Sequence, residues 1–82
     1  MKNSVYSIHY DNLRKWLKSV RESKGLSLRD IAALTGRDHS IYGKIEKGRR
    51  RIDLIEFVEY CAVLGIDPQE GIEVIKASIH KR

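Results

Sequence analysis

The sequence predicts a small, compact all-α domain of five helices. Its 82 residues suffice for one domain with one core, and one proline with six glycines leaves long stretches free to be helical. Apolar residues in these stretches recur at the three-to-four-residue spacing of an amphipathic helix. Each later stretch starts after serine or aspartate, and several end at glycine, as capped helices do.

Apolar spacing and caps delimit the first two helices. The first is predicted over residues 11–24, with Leu13, Trp16, Leu17 and Val20 on one face and glycine following. Residues 1–10, where Val5, Ile8 and Tyr10 alternate loosely with polar residues, are predicted to be an N-terminal arm that is either extended or disordered. The second helix, residues 27–34, begins at Ser27, where Asp30 completes a capping box, and it ends before Gly36.

Three further helices follow the same rules. Asp38 is the predicted cap of a helix over residues 38–47, and Asp53 caps the next. Nine of the eleven residues 54–64 are apolar, so this fourth helix is predicted to lie at the centre of the core and to be covered on most sides. The fifth starts at Asp67-Pro68. The folded domain is predicted to span residues 11–79, followed by a basic tail at 80–82.

Positive and negative charges lie in different parts of the chain. The formal net charge is +5. Residues 37–51 contain six Lys or Arg against two Asp or Glu, whereas residues 52–75 contain six acidic residues and no Lys or Arg. This asymmetry indicates one surface that binds a polyanion and another that is kept away from it, although a solvated charged surface is the simpler alternative.

The residues argue against several other classes of protein. His9, His39 and His80 are scattered, Cys61 lies inside an apolar run, and no glycine-rich phosphate loop is present, so we expect no enzyme, metal site, cofactor or small-molecule ligand. No apolar run reaches the ~18–20 residues of a membrane span. We expect a soluble cytoplasmic protein without membrane contacts. RNA binding is disfavoured because no aromatic stacking platform is visible.

The spacing of the second and third helices predicts a helix-turn-helix. Residues 27–34 and 38–47 are joined by the turn Thr35-Gly36-Arg37. In this arrangement the second helix enters the major groove of DNA and presents its N-terminal side chains to base edges. Many small helical domains contain a similar corner, so the spacing alone is moderately specific.

The chain resembles a known family between residues 13 and 68. The stretches VRESKGLSLRDIA, IYGKIEKGRRR and AVLGIDP occur in the order and spacing of the phage-repressor and Cro-like helix-turn-helix proteins, the XRE family. The resemblance implies a lambda-repressor-like domain of five helices that binds palindromic operator DNA as a homodimer. It further implies an ion pair between Arg21 and Glu46, which fixes the reading helix to the first helix.

The resemblance also implies which residues touch DNA. The reading helix at about 38–47 would read bases with His39, Ser40, Gly43 and Lys44. The candidate phosphate contacts are basic residues around that helix, namely Arg29, Arg37, Lys47, Arg49, Arg50 and Arg51. One position departs from the family pattern, because Leu28 stands where glutamine often contacts phosphate or base.

The apolar C-terminal half supplies a predicted dimer interface. Its candidate residues are Tyr60, Val63, Ile72, Ile75 and Ile79, with closure of the monomer core as the alternative. The predicted function is a sequence-specific, repressor-like transcriptional regulator of double-stranded DNA. The alternative function is a protein-interaction module, or an antitoxin-type protein that uses the same scaffold to bind a partner.

Overall fold

The computed structural model describes residues 7–80, and this part of the chain forms five α-helices without a strand. They are α1 (Ile8–Ser23), α2 (Leu28–Thr35), α3 (His39–Glu46), α4 (Leu54–Leu64) and α5 (Pro68–His80). The predicted all-α, five-helix fold is confirmed. Most of the predicted arm and the last two residues of the predicted tail lie outside the described residues.

α1 begins three residues earlier than the sequence predicted. Ser7 is its N-cap, and its hydroxyl accepts a hydrogen bond from the amide of Tyr10 at 3.0 Å. The sequence assigned residues 8–10 to an N-terminal arm outside the helix. Tyr10 is instead a buried helical residue whose hydroxyl donates to the carbonyl of Arg50 at 2.7 Å. The start of α1 is therefore attached to the loop after α3.

The other helices start at the predicted caps. Ser27 with Asp30 and Asp53 with Glu56 form complete capping boxes, and the Asp38 carboxylate accepts from the amide of Ser40 at 3.1 Å. These bonds satisfy amides that have no partner within their helix. Because each cap lies beside its own helix in sequence, the local pattern was enough to locate the starts of α2, α3 and α4.

The core is formed by side chains of α1, α2, α3 and α4, and α5 packs against it through the half-buried Ile72 and Ile75. Its fully buried side chains include Leu17, Ile31, Tyr42, Ile45 and Cys61. α5 approaches its neighbours most closely at Gly71. A Cβ at that position would lie 2.7 Å from Cζ of Phe57 and 2.8 Å from Cζ3 of Trp16. The rings of α4 and α1 therefore occupy the space that any larger residue would need.

α4 is not covered on most sides, contrary to the prediction. Leu54, Ile55 and Val58 are 67, 62 and 45 % exposed and share one face. The opposite face is buried and carries Glu56, Phe57, Tyr60, Cys61 and Leu64. Because α1, α2 and α5 all lie on that buried side or its margins, nothing in the described residues covers the apolar outer face.

The predicted interface residue Tyr60 requires a correction. Its side chain is 1 % exposed, and its ring packs edge-on against that of Tyr42 with centroids 5.3 Å apart. Tyr60 therefore belongs to the core of this chain and cannot be reached by a second copy.

A buried ion pair joins α1 to the end of α3. Arg21 donates from Nε and from one terminal nitrogen to the two carboxylate oxygens of Glu46, at 2.8 and 3.1 Å. Its other terminal nitrogen donates to the carbonyl of Leu26 at 2.7 Å, just before α2. The guanidinium and the carboxylate are 10 and 11 % exposed. Water therefore contributes little to neutralising either charge.

We predict that Glu46→Ala lowers the free energy of unfolding by ~3–5 kcal/mol, because it leaves Arg21 buried without its counter-ion. Glu22→Ala is the matched control. Glu22 lies 4.0 Å from the same guanidinium but is 60 % exposed, so its loss should cost less than about 1 kcal/mol. Chemical denaturation measures both values. Equal effects of the two substitutions would contradict the prediction.

Candidate nucleic-acid interface

α2 and α3 meet through a short turn at residues 36–38. Thr35 is still helical, so α2 ends one residue later than predicted. Gly36 adopts a φ of 77°, in the left-handed region that favours glycine, and its amide donates to the carbonyl of Ala32 at 2.8 Å. The amide of Arg37 donates to the same carbonyl at 3.1 Å. These two bonds close α2 and turn the chain directly into α3.

The inner face of α3 is fixed by Tyr42. The side chain of Tyr42 is fully buried, and its hydroxyl donates to Oγ1 of Thr35 at 3.0 Å. Thr35 in turn donates to the carbonyl of Ile31 at 2.9 Å. α3 is therefore attached to α2 by a chain of hydrogen bonds on the side that faces the core, and its other side stays open.

The outer face of α3 brings the four predicted base-reading residues together. His39, Ser40 and Lys44 are exposed. Gly43 lies between them, and a Cβ placed there would meet no atom within 4 Å. These residues line a groove of about 330 Å³, whose remaining walls are Leu28, Lys47 and Arg49. We call this concavity the α3 groove.

Leu28 supplies the apolar side chain of the α3 groove. It is the first residue of α2, directly after the cap Ser27, and it is half-buried against the core. The sequence indicated that a common polar contact is missing at this position. In the structure its place is taken by a hydrocarbon side chain that packs partly against the core, beside the predicted base-reading residues.

Four of the six predicted phosphate-binding residues have exposed side chains. Lys47 and Arg49 line the α3 groove, and Arg29 lies in the first turn of α2. Arg51 is also exposed, and its guanidinium carbon lies 5.1 Å from the centre of the Tyr10 ring. A cation above an aromatic face is attracted by the quadrupole of the ring, which orients the Arg51 side chain without a carboxylate.

The other two, Arg37 and Arg50, require a correction. The terminal nitrogens of Arg50 donate to both carboxylate oxygens of Glu56, at 2.9 and 3.0 Å. Arg37 donates from Nε to Glu59 at 2.8 Å. Both guanidinium groups are directed at α4, because a carboxylate on that helix neutralises each of them. They hold the turn before α3 and the loop after it against α4. Both guanidinium groups are already paired with carboxylates and are not free to bind phosphate.

Glu56 is the functional residue that the sequence underrated. It is 2 % exposed, and its carboxylate also accepts from the amide of Asp53 at 3.0 Å. The hydrogen bonds from Arg50 hold the pKa of Glu56 below its ordinary value, even though burial acts in the opposite direction. A lone glutamate on the buried face of an apolar helix is the signal that could have revealed this, since such a carboxylate needs a cationic partner.

Residues 7–80 lack two features that would indicate other kinds of site. This part of the chain holds no group of three or more His, Cys, Asp or Glu that could bind a metal ion. None of its helices has the length and hydropathy needed to cross a membrane.

Comparison with known proteins places this geometry in a family. A family model described as Helix-turn-helix matches residues 17–71, which include all of α2, α3 and α4. No curated protein is significantly similar to the chain.

Solved structures extend the similarity to most of the chain. An XRE-family like protein from Pseudomonas syringae pv. tomato is 31 % identical, with a TM-score of 0.82 and 92 % of each chain covered. The restriction-modification controller protein C.AhdI from Aeromonas hydrophila is 32 % identical, with a TM-score of 0.71 over 76 % of this chain and 94 % of its own. The clp gene regulator ClgR from Corynebacterium glutamicum, at 22 % identity, shares the fold, with a TM-score of 0.77 over 89 % of this chain and 78 % of its own.

The family match, the identity to these structures and the α2–α3 geometry agree, and the chain belongs to the XRE family of helix-turn-helix proteins.

Proposed function

We propose that this protein is a transcriptional regulator that binds specific double-stranded DNA as a homodimer. The observation that carries the proposal is the α3 groove, where every predicted base-reading residue lies on one open face beside exposed cations. Its similarity to a restriction-modification controller protein supports a regulatory role. A repressor-like action on a palindromic operator is the form of regulation that we propose.

In this mechanism α3 enters the major groove of DNA. Lys44 donates to guanine O6 and N7, and His39 and Ser40 pair with neighbouring base edges or phosphates. Gly43 allows the helix backbone to approach the bases, because no side chain stands between them. The fixed inner face of α3 keeps these groups in place before DNA arrives, so binding costs little ordering.

The phosphate contacts come from the exposed cations only. We assign them to Arg29, Lys47, Arg49 and Arg51, which surround the reading face or its flanks. Contacts of this type position the protein on the duplex and make its affinity depend on salt.

The dimer interface combines α4 and α5. Leu54, Ile55 and Val58 project from α4 beside a cavity of about 320 Å³, whose walls include Phe57, Ile72 and Ile75. A two-fold contact must be self-complementary. This face offers protruding apolar side chains beside a recess of mixed lining, in which Arg51 and Asp53 stand among the apolar walls.

Two predicted interface residues flank this surface. Ile79 is 52 % exposed near the end of α5, and Val63 is half-buried on α4. A dimer that reads two half-sites needs its two α3 helices ~34 Å apart, one helical turn of DNA.

The same apolar face supports the alternative function. A different protein of matching apolar shape could cover Leu54, Ile55 and Val58, as in an antitoxin-type partner complex. Selection of bound sequences from a random duplex pool separates the two functions. The proposed regulator enriches a symmetric site, whereas a protein that enriches none and does not bind duplex DNA at low salt is the interaction module.

We predict that Arg49→Ala and Arg50→Ala affect different properties. Arg49→Ala removes a phosphate contact, so the slope of log K against log salt should become shallower by about 0.9 for each bound copy. Arg50→Ala leaves Glu56 buried without its main partner, so it should lower Tm and leave the slope unchanged. Fluorescence anisotropy at several salt concentrations measures the slopes.

The converse result would contradict this assignment. A shallower slope for Arg50→Ala with an unchanged Tm would mean that Arg50 leaves Glu56 to bind phosphate.

We predict that Val58→Asp separates the dimer, because it places a charge in the apolar interface that two copies share. Sedimentation velocity should show the wild type as a dimer and the variant as a 9.5 kDa monomer. Ser19→Asp, which adds the same single negative charge at an exposed position of α1, is the control and should remain dimeric. A wild type that stays monomeric at high concentration would contradict the proposed dimer.

A further inference from the structure

One side chain that lines the α3 groove, that of Leu28, can neither donate nor accept a hydrogen bond. Six of the seven residues that line the groove offer a charge, a polar side chain or bare backbone, and only Leu28 offers a hydrocarbon side chain. Leu28 is half-buried against the core and therefore has a restricted set of conformations before any ligand binds. An apolar group held at the edge of a polar groove requires an apolar partner if it is to add affinity.

We propose that Leu28 recognises the 5-methyl group of a pyrimidine, that of thymine, in the DNA bound by α3. This proposal rests on the proposed function and names what the α3 groove reads. In unmodified DNA, only the A·T and T·A base pairs present a methyl group in the major groove, next to the O4 acceptor of thymine. A leucine at this position distinguishes thymine from cytosine without a hydrogen bond.

The neighbouring residues make such a contact possible. Lys44, Lys47 and Arg49 surround the groove and attract the sugar-phosphate strand that carries the base. Gly43 leaves the space above α3 empty, so a methyl group can reach the leucine wall without displacing a side chain. Contact between the methyl group and Leu28 removes water from both apolar surfaces.

A leucine and a polar residue at position 28 make different contacts with DNA. A glutamine there would offer both a donor and an acceptor and could bind phosphate or a base edge. Leucine gives up that bond and gains discrimination at a single position. We therefore expect the preferred half-site to contain a thymine whose methyl group, and not only its hydrogen-bonding edge, contributes to affinity.

Replacement of thymine by uracil in the DNA tests this directly, because uracil differs only in lacking the methyl group. The site enriched from a random pool is synthesised with uracil at each thymine in turn, and Kd is measured for the wild type, Leu28→Ala and Leu34→Ala. Leu34 is the matched control, since it is an exposed leucine on the same helix that does not line the groove.

One uracil position should weaken the wild type and Leu34→Ala by about fourfold, and by about fifteenfold when both half-sites carry it. Leu28→Ala should bind the thymine and uracil duplexes equally well. A parallel set of duplexes carries 5-methylcytosine in place of each cytosine in turn. If the methyl group that Leu28 contacts belongs to 5-methylcytosine, this replacement strengthens DNA binding by the wild type but not by Leu28→Ala.

Specific binding that no uracil and no methylcytosine changes would overturn the proposal and leave the proposed function intact. Failure to enrich any site would overturn the proposed function and this proposal with it. The uracil comparison with the wild type alone tests whether a methyl group is read, and its failure overturns the proposal even if Leu28→Ala does not fold. An equal loss of affinity by Leu28→Ala and by the wild type on uracil DNA would overturn the assignment to Leu28.

Discussion

The carboxylate of Glu46 lies at the end of α3 with 11 % of its side chain exposed, so a neighbouring group of the protein must neutralise its charge. Arg21 does this with two hydrogen bonds and uses its remaining nitrogen on the carbonyl of Leu26, so one guanidinium holds both the end of α3 and the entry to α2. Arg14 adds a bond to the backbone carbonyl of Glu46 at 2.6 Å. α1 therefore sets the angle between α2 and α3, although no residue of α1 is assigned to DNA.

Two arginines beside α3 show that the number of basic residues overstates the surface available to a polyanion. Arg37 and Arg50 flank α3 in sequence, as phosphate-binding residues would, yet both are directed at carboxylates of α4. The acidic stretch is therefore more than a surface remote from DNA, since Glu56 and Glu59 accept hydrogen bonds from arginines of the basic segment. What remains for a polyanion is a smaller and better-defined set of cations around the α3 groove.

The parts of the fold that sequence predicted well are those governed by near neighbours. Ser27 and Asp53 lie three residues from the groups they cap, so a local pattern was enough to place α2 and α4. The exposed face of α4 could not be read in this way. Ile55 and Tyr60 are both apolar, and whether either is buried depends on where the other helices pack. The partners of Arg37 and Arg50 are likewise set by tertiary contacts.

The residues that pack α3 into the core differ from those exposed on its outer face, so the two sets can change independently during evolution. Tyr42 and Ile45 are buried on the inner face and maintain the fold, while His39, Ser40 and Lys44 are exposed on the outer face. Exposed substitutions of this kind change stability by about 0.5 kcal/mol or less. Descendants of this chain could therefore exchange their reading residues one at a time, acquiring new targets while every intermediate stays folded.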